Sequence, residues 1–303
     1  MKTLAVLTCI CTILFFSCSS GDRPAGDFKL LPQPQEFKLA GSSKLKPDDI
    51  RFYHFPGDIG PPAATGLPKG IRPAEQLSRA QITCSIEPSM DLDEEGYTLE
   101  ITRNVINITA KDGAGLLYAF MTLQQLMEDA REQDIPLPLC SIRDFPLLSY
   151  RAIHIDVKHH RETMDYYYRL MDKLARYKVN AVIAEMEDKL KYERQPVVGS
   201  ADALSMEQWK DLSDYAMERN IEISPLIQGL GHASFILKHE RYRNLRDDPQ
   251  SDWAFNPLDP GTYEVQYDLY LDALEATPYG RYLHIGGDEV HTTGRSSGKS
   301  IVK

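Results

Sequence analysis

The sequence predicts an α/β protein in which a small α+β domain precedes a series of β/α units. In the first half of the 303-residue chain, segments of alternating apolar and polar residues are followed by one amphipathic helix. From Tyr150 onward, short apolar segments alternate with helical ones, which is the pattern of a parallel sheet. With 42% hydrophobic residues, the chain can bury a large core.

Residues 1–18 have the composition of an export signal. Met1-Lys2 is followed by an apolar run that ends at Phe16 and then by small residues. Such a run is too short to cross a bilayer and is typical of a secretory signal. Its Leu14-Phe-Phe-Ser-Cys18 end resembles a bacterial lipoprotein signal, in which Cys18 would be lipidated. We therefore expect secretion across the inner membrane and a lipid anchor facing the periplasm or the cell surface, with ordinary secretion as the alternative.

Two cysteines, Cys84 and Cys140, remain beyond the signal and Cys18. In an oxidising compartment they could form a disulfide or stay separate buried thiols, and the sequence leaves both possibilities open. No metal-ligand pattern accompanies them.

The chain is acidic, with a formal net charge of -10. Neutralising phosphates requires clustered Lys and Arg, which the sequence lacks, so a nucleic-acid partner is not expected.

Residues 28–140 are predicted to form the small α+β domain. Period-two alternation indicates strands at Ile82–Ile86, Gly96–Thr102 and Val105–Thr109, and this pattern favours an antiparallel sheet with one solvated face. A helix from Gly113 to Met127 has apolar residues at three- and four-residue spacings and should lie on that sheet. The Pro- and Gly-rich piece from Phe55 to Gly70 is predicted to be a loop.

Residues 145–303 contain four predicted strands separated by helices. The strands are expected at 151–157, 180–186, 221–227 and 282–285, and the helices at 164–176, from Ser205 and at 260–276. A capping-box pattern, Ser205-Met-Glu-Gln208, opens the second helix. These units fit either an open doubly wound sheet or a β/α barrel.

Polar residues follow each predicted strand. They are His159-His160, Glu187-Asp188, Gln228 through His232, and Asp288-Glu289. Barrels build one active site at the carboxyl ends of their strands, so this placement favours a barrel, although open sheets also bind ligands at that end. No third ligand at zinc spacing accompanies His159-His160, which we interpret as a solvated loop.

His284-Ile-Gly-Gly-Asp-Glu289 resembles the signature of glycoside hydrolase family 20, the β-N-acetylhexosaminidases. Ser149-Tyr-Arg151 with Asp156 resembles that family's first barrel strand, and the segments 186–193 and 225–239 are similar to the hexosaminidase D branch. Pro32-Gln-Pro-Gln35 and the helix after Gly113 are similar to the domain that precedes such barrels. The resemblance implies a (β/α)8 TIM barrel preceded by a small α+β domain.

The resemblance also implies a reaction. In family 20 the substrate's own 2-acetamido oxygen acts as the nucleophile, so two adjacent carboxylates suffice. Glu289 would protonate the leaving oxygen, and Asp288 would orient the acetamido group. The implied partners are glycans that carry terminal N-acetylhexosamine, either N-acetylglucosamine or N-acetylgalactosamine, and no cofactor or metal is implied.

Three further residues receive substrate-binding roles from the resemblance. Arg151 would hydrogen-bond sugar hydroxyls, and His232 and Asp188 would form a polar pair beside the acid. The chain departs from the family in one place, because Ile183-Ala-Glu185 stands where most members have His-x-His. The roles of Glu185, Glu187 and Asp188 therefore stay open.

A complete β/α barrel takes about 250 residues, and fewer than that follow Tyr150. We therefore expect only the first half of the barrel here. Two hypotheses follow: an exo-β-N-acetylhexosaminidase whose sequence is incomplete, or a truncated, inactive relative with at most weak sugar binding.

Overall fold

The computed structural model describes residues 26–56 and 66–290. The predicted signal with Cys18 and the middle of the Phe55–Gly70 loop lie outside the described residues. No helix in the described ranges is long and apolar enough to cross a membrane.

Seven strands form the sheet of the first domain. They are β1 (Glu36–Ser42), β2 (Phe52–His54), β3 (Arg72–Pro73), β4 (Ile82–Ile86), β5 (Tyr97–Ile101), β6 (Ile106–Ala110) and β7 (Pro138–Asp144), in the spatial order β1-β7-β5-β6-β4-β2-β3. The expectation of an antiparallel sheet is only partly correct, because β4 pairs in parallel with both β6 and β2. The period-two pattern reports which face a side chain occupies and carries no information on strand direction.

Helix α1 (Gly113–Glu132) covers one face of this sheet with a nearly continuous set of buried apolar residues. The Asp112 side chain accepts a hydrogen bond of 2.7 Å from the Gly115 amide and so caps the helix. The predicted helix is therefore confirmed and extends one turn further than its apolar stripe indicated.

Cys84 and Cys140 are both buried free thiols. They lie on β4 and β7, which are separated by β5 and β6 in the sheet. Strands are spaced about 4.8 Å apart, so the two sulfur atoms are too far apart to bond. Burial raises the pKa of each thiol to about 12.

Three strands form the parallel sheet of the second domain: β8 (Ala152–Asp156), β9 (Ala181–Glu185) and β10 (Glu222–Leu226), with β9 in the centre. Helix α2 (Met164–Arg176) follows β8, α3 (Met206–Met217) follows β9, and both α4 (Ser234–Leu237) and α5 (Pro260–Ala276) follow β10. Ser205 and Gln208 form the predicted capping box at α3. Because the strands are parallel, Asp156, Glu185 and Leu226 end at the same edge of the sheet.

The fourth predicted strand, 282–285, is reduced to a single parallel bridge between His284 and Leu226. The His284 amide donates to the Pro225 carbonyl at 2.9 Å, and the Ile227 amide donates to the His284 carbonyl at 3.0 Å. Gly286 and Gly287, at φ +68° and +107°, then turn the chain away from the strand direction. Within residues 26–56 and 66–290 the parallel sheet is open.

Candidate active site

A cavity of about 450 Å³ lies at the carboxyl ends of β8, β9 and β10. Its lining combines residues of all three strands with residues that follow β8 and β10 and with the turn after His284. The residues are His154, Lys158, Ile183, Glu185, Leu226, Gln228, His232, His284, Gly286, Asp288 and Glu289. This arrangement agrees with the prediction of a single site at the carboxyl ends of the strands.

Asp288 and Glu289 reach the cavity because two glycines precede them. Gly286 has φ +68°, and a Cβ atom there would collide with the side-chain amide oxygen of Gln228. Glu289 itself has φ +49°, a left-handed conformation that few residues with a side chain adopt. The segment thus holds two carboxylates side by side at the strand end, each about 62% exposed to solvent.

His232 faces both carboxylates. Its Nε2 atom lies 3.3 Å from Asp288 Oδ2 and 3.4 Å from Glu289 Oε2. The imidazole is in turn packed against Trp253, with 4.4 Å between the ring centroids. Gly231 allows this approach, because a Cβ there would lie 2.7 Å from the Asp288 carbonyl oxygen. The structure therefore brings together three of the residues selected from the sequence: His232, Asp288 and Glu289.

Trp253 also belongs to the site, although no sequence pattern indicates it. Its Nε1 atom donates a hydrogen bond of 2.8 Å to the Glu289 carbonyl oxygen. Trp253 lies in the loop before α5, far from any strand end in sequence, so no local pattern marked it. Trp253 therefore contacts both His232 and the turn that carries Glu289.

The backbone amide of Asp288 is the largest factor in lowering the pKa of its own carboxyl group, with further contributions from His232 and the Gln228 amide. Partial burial acts in the opposite direction but does not prevail. Asp288 is consequently ionised at neutral pH.

Glu185 forms the floor of the cavity, with a side chain only 4% exposed. Its carboxylate accepts hydrogen bonds from Lys158 Nζ at 2.5 Å and Gln228 Nε2 at 3.0 Å, and His154 Nε2 lies at 3.1 Å. Burial alone would lower the pKa of Lys158, but the hydrogen bond to Glu185 and the nearby Glu187 raise it. Glu185, whose role the sequence leaves open, thus contacts all three of these polar side chains at the cavity floor.

Two family profiles match the chain. The profile described as glycosyl hydrolase family 20, domain 2, matches residues 61–145, and the catalytic-domain profile of the same family matches residues 148–302. The chain belongs to glycosyl hydrolase family 20.

Among family 20 relatives, the Beta-hexosaminidase of Porphyromonas gingivalis is 28% identical over 95% of this chain and 43% of its own length. Hexosaminidase D of Homo sapiens is 28% identical over 48% of this chain and 30% of its own length. The chain therefore spans less than half the length of these relatives.

Solved family 20 structures show the same fold. The β-N-acetylhexosaminidase of Streptomyces coelicolor superposes with a TM-score of 0.75 at 23% identity, covering 88% of this chain and 61% of that one. A chitobiase of Flavobacterium johnsoniae gives a TM-score of 0.74 at 23% identity, covering 90% and 46%. The predicted fold class, barrel β/α units preceded by a small α+β domain, is confirmed.

Asp188 does not form the predicted pair with His232. One carboxylate oxygen lies 3.1 Å from Lys238 Nζ and the other lies 3.3 Å from Lys189 Nζ. The 3-10 turn at Glu187–Lys189 directs the side chain toward these lysines and away from the cavity lining. The partners of His232 are the two carboxylates of the acidic turn.

Arg151 is also outside the cavity. It precedes β8, at the amino end of a strand whose carboxyl end meets the site, and five residues of strand span about 16 Å. Its guanidinium donates to Glu95 Oε2 at 2.5 Å, to the Lys178 carbonyl at 2.7 Å and to the Leu148 carbonyl at 2.7 Å. Arg151 therefore joins the two domains, and its predicted contact with sugar hydroxyls is not supported by this position.

His159 and His160 are solvated, each with a side chain 78% exposed. His159 Nδ1 lies 2.8 Å from Asp156 Oδ2, and His160 Nε2 lies 3.1 Å from Glu162 Oε1. In the described part of the chain, no group of three or more His, Cys, Asp or Glu side chains is arranged to hold a metal ion.

Proposed function

We propose that this protein is an exo-β-N-acetylhexosaminidase, which removes terminal N-acetyl-β-D-hexosamine residues from glycans with retention of configuration. The observation that carries the proposal is the pair of adjacent carboxylates, Asp288 and Glu289, held beside His232 at the cavity. Membership of family 20 and the names of its hexosaminidase relatives support it.

Adjacent carboxylates dictate the kind of mechanism. Retaining enzymes that use an enzymic nucleophile place two carboxyl groups about 5–5.5 Å apart on opposite sides of the scissile bond. Two successive residues of one turn cannot straddle a sugar in this way. The acetamido oxygen of the substrate then supplies the nucleophile and forms a bond to C1 as the glycosidic C–O bond breaks.

Each residue of the turn has a separate task. Glu289 donates a proton to the departing glycosidic oxygen and afterwards accepts one from the water that opens the cyclic intermediate. Asp288, ionised because its pKa is lowered, stabilises the positive charge that develops on the acetamido nitrogen. His232 lies within 3.4 Å of both carboxylates and fixes their orientation.

The inactive-relative hypothesis has less support. The acidic turn, its histidine and the cavity floor are all assembled from residues of this chain. No cofactor is required by the proposed chemistry.

The acetamido group gives the direct test. An aryl N-acetyl-β-glucosaminide should be hydrolysed at least about a thousand-fold faster than the matching aryl β-glucoside, since well-placed intramolecular nucleophiles reach effective molarities of 10⁵ M or more. Comparable rates on the two glycosides would exclude substrate assistance.

We also propose export and lipid anchoring, which the composition of residues 1–18 supports. In a bacterial host, the wild type should incorporate labelled palmitate and sediment with membranes. A Cys18→Ala variant should do neither, whereas Cys84→Ala should behave as the wild type. Equal labelling of the Cys18→Ala variant would refute the anchor.

A further inference from the structure

A hexosaminidase cavity must recognise the ring hydroxyls of the terminal sugar as well as its acetamido group. Arg151, the residue to which the sequence assigns this role, is held between the domains by Glu95 and two backbone carbonyls. Among the described residues, the polar groups that line the cavity are therefore the candidates for this recognition.

Among the described residues that line the cavity, Lys158 is the one lysine, and the lining contains no arginine. Its side chain is 13% exposed, and its Nζ atom donates a hydrogen bond to Glu185 at 2.5 Å. The carboxylates of Glu187 and Asp156 lie at 3.6 Å and 4.0 Å, beyond hydrogen-bond distance. An ammonium group has three N–H donors, so the bond to Glu185 leaves donors for a ligand in the cavity.

Glu185 holds this ammonium in place. Its side chain is only 4% exposed, and besides Lys158 it is contacted by His154 on β8 and by Gln228, which follows β10. Ordering a lysine in advance reduces the entropy lost when a ligand binds.

The other polar group on the floor is Gln228. Its Nε2 atom donates to Glu185, while its Oε1 atom is buried and accepts no hydrogen bond from the described residues. A buried, unpaired acceptor in a cavity wall is costly unless a ligand or water supplies a donor. The floor therefore presents a charged donor, Lys158 Nζ, to a sugar hydroxyl, and the unpaired Gln228 oxygen lies buried beside it.

We infer that Lys158, positioned by Glu185, binds a ring hydroxyl of the terminal N-acetylhexosamine and determines affinity for it. This inference rests on the proposed function, because it names the part of the substrate that the same cavity recognises.

Lys158→Met should lower kcat/KM on an aryl N-acetyl-β-glucosaminide by about 10- to 100-fold, the usual effect of losing a hydrogen bond to a charged group. Lys189→Met is the matched control, since Lys189 has the same 13% side-chain exposure and pairs with two carboxylates but does not line the cavity. We expect the control to stay within about three-fold of the wild type. Equal losses in the two variants would overturn the inference.

Substrates that each lack one hydroxyl show whether Lys158 contacts the sugar directly or only supports the structure of the cavity. The ratio of wild-type to Lys158→Met activity should fall toward one on either the 3-deoxy, the 4-deoxy or the 6-deoxy glycoside, because that substrate lacks the hydroxyl that Lys158 binds. An unchanged ratio on all three would overturn the inference. Lys158→Met leaves the buried Glu185 carboxylate without its lysine partner, and the double variant Lys158→Met/Glu185→Gln removes that charge. Recovery of wild-type kcat/KM in the double variant would show that Lys158 only neutralises Glu185.

Failure of the proposed function gives a different result. An inactive wild type on the parent glycoside would refute the hydrolase assignment, and calorimetric titration with N-acetylglucosamine would then decide the present inference. Binding by the wild type and Lys189→Met, with loss in Lys158→Met, supports the subsite. Equal binding by all three proteins, or none by the wild type, refutes it.

Discussion

Glu187 follows β9, and its side chain is 12% exposed. Burial is the main cause that raises its pKa to about 7; Lys158 opposes the change, and the carboxylates of Glu185, Asp156 and Asp188 reinforce it. An acid whose pKa is higher in the folded state binds more protons there than in the unfolded chain. Its stabilising contribution is therefore present at low pH and is lost as the pH rises from about 4.5 to 7.

This shift predicts that Glu187→Gln removes part of the pH dependence of stability. Between pH 5 and pH 8 the wild type should lose on the order of 2 kcal/mol of unfolding free energy through this group, and the variant should not. Urea unfolding of both proteins at the two pH values measures the difference. Parallel pH profiles for the two proteins would contradict the assignment.

The residues of the site differ in how well the sequence reveals them. Asp288, Glu289 and the glycines before them are adjacent, so one segment contains the whole acidic turn. His232 and Trp253 meet that turn through tertiary packing, and only His232 was selected. Arg151 and Asp188 were assigned from the resemblance, but their side chains contact other partners. The direction in which a side chain points depends on the local turn and on which end of the strand carries it, and sequence position alone does not give it.

At the scale of elements, the turn after His284 depends on its two glycines in different ways. Both have positive φ, but a side chain at Gly286 would also collide with Gln228, whereas a Cβ at Gly287 would meet nothing within 4 Å. An alanine at Gly287 would therefore introduce backbone strain alone, whereas an alanine at Gly286 would also displace Gln228 at the cavity floor.

We predict that Gly286→Ala lowers kcat/KM on the aryl glycoside at least about ten-fold more than Gly287→Ala does. Both variants suffer about 1 kcal/mol or more of backbone strain, but only the first forces Gln228 away from Glu185. Steady-state kinetics of the two variants, with thermal midpoints as a folding check, provide the comparison. A larger loss in Gly287→Ala would contradict it.

Most elements of the second domain follow from local pattern, because apolar strands and capped helices alternate at regular spacing. The capping box at Ser205 and the range of α5 are examples. Strands β1 and β7 were not predicted, since their pairing joins residues about a hundred positions apart. The fourth strand is shorter than predicted. Its sequence is apolar, but its backbone turns at Gly286, directly after the single bridge at His284.

At the scale of the whole molecule, a buried ion pair connects the two domains. Lys178 Nζ lies 2.6 Å from Asp144 Oδ2, with side chains 8% and 9% exposed, and also donates to Tyr97 Oη at 3.0 Å. Burial lowers the pKa of Lys178, while Asp144 opposes this effect. Beside them, Arg151 and Glu95 make a second bridge at 2.5 Å.

Asp144→Asn should destabilise the protein by about 3–5 kcal/mol, because it leaves the Lys178 ammonium buried without its counter-charge. Asp48→Asn is the matched control. Asp48 is 78% exposed and pairs with Arg131 at the surface, so its loss should cost less than about 1 kcal/mol. Urea unfolding measures both, and a loss in Asp144→Asn no larger than in the control would show that the domain contact does not depend on this pair.

We predict that Glu289 is the general acid of the proposed hexosaminidase. The most direct measurement is hydrolysis of a β-linked N-acetylglucosamine disaccharide by the wild type, Glu289→Gln and Glu240→Gln, the last being an exposed control whose side chain is 85% accessible. A poor leaving group needs full protonation, so Glu289→Gln should lose about 100- to 10,000-fold in kcat while the control retains wild-type turnover. Wild-type turnover by Glu289→Gln would show that Glu289 is not the general acid.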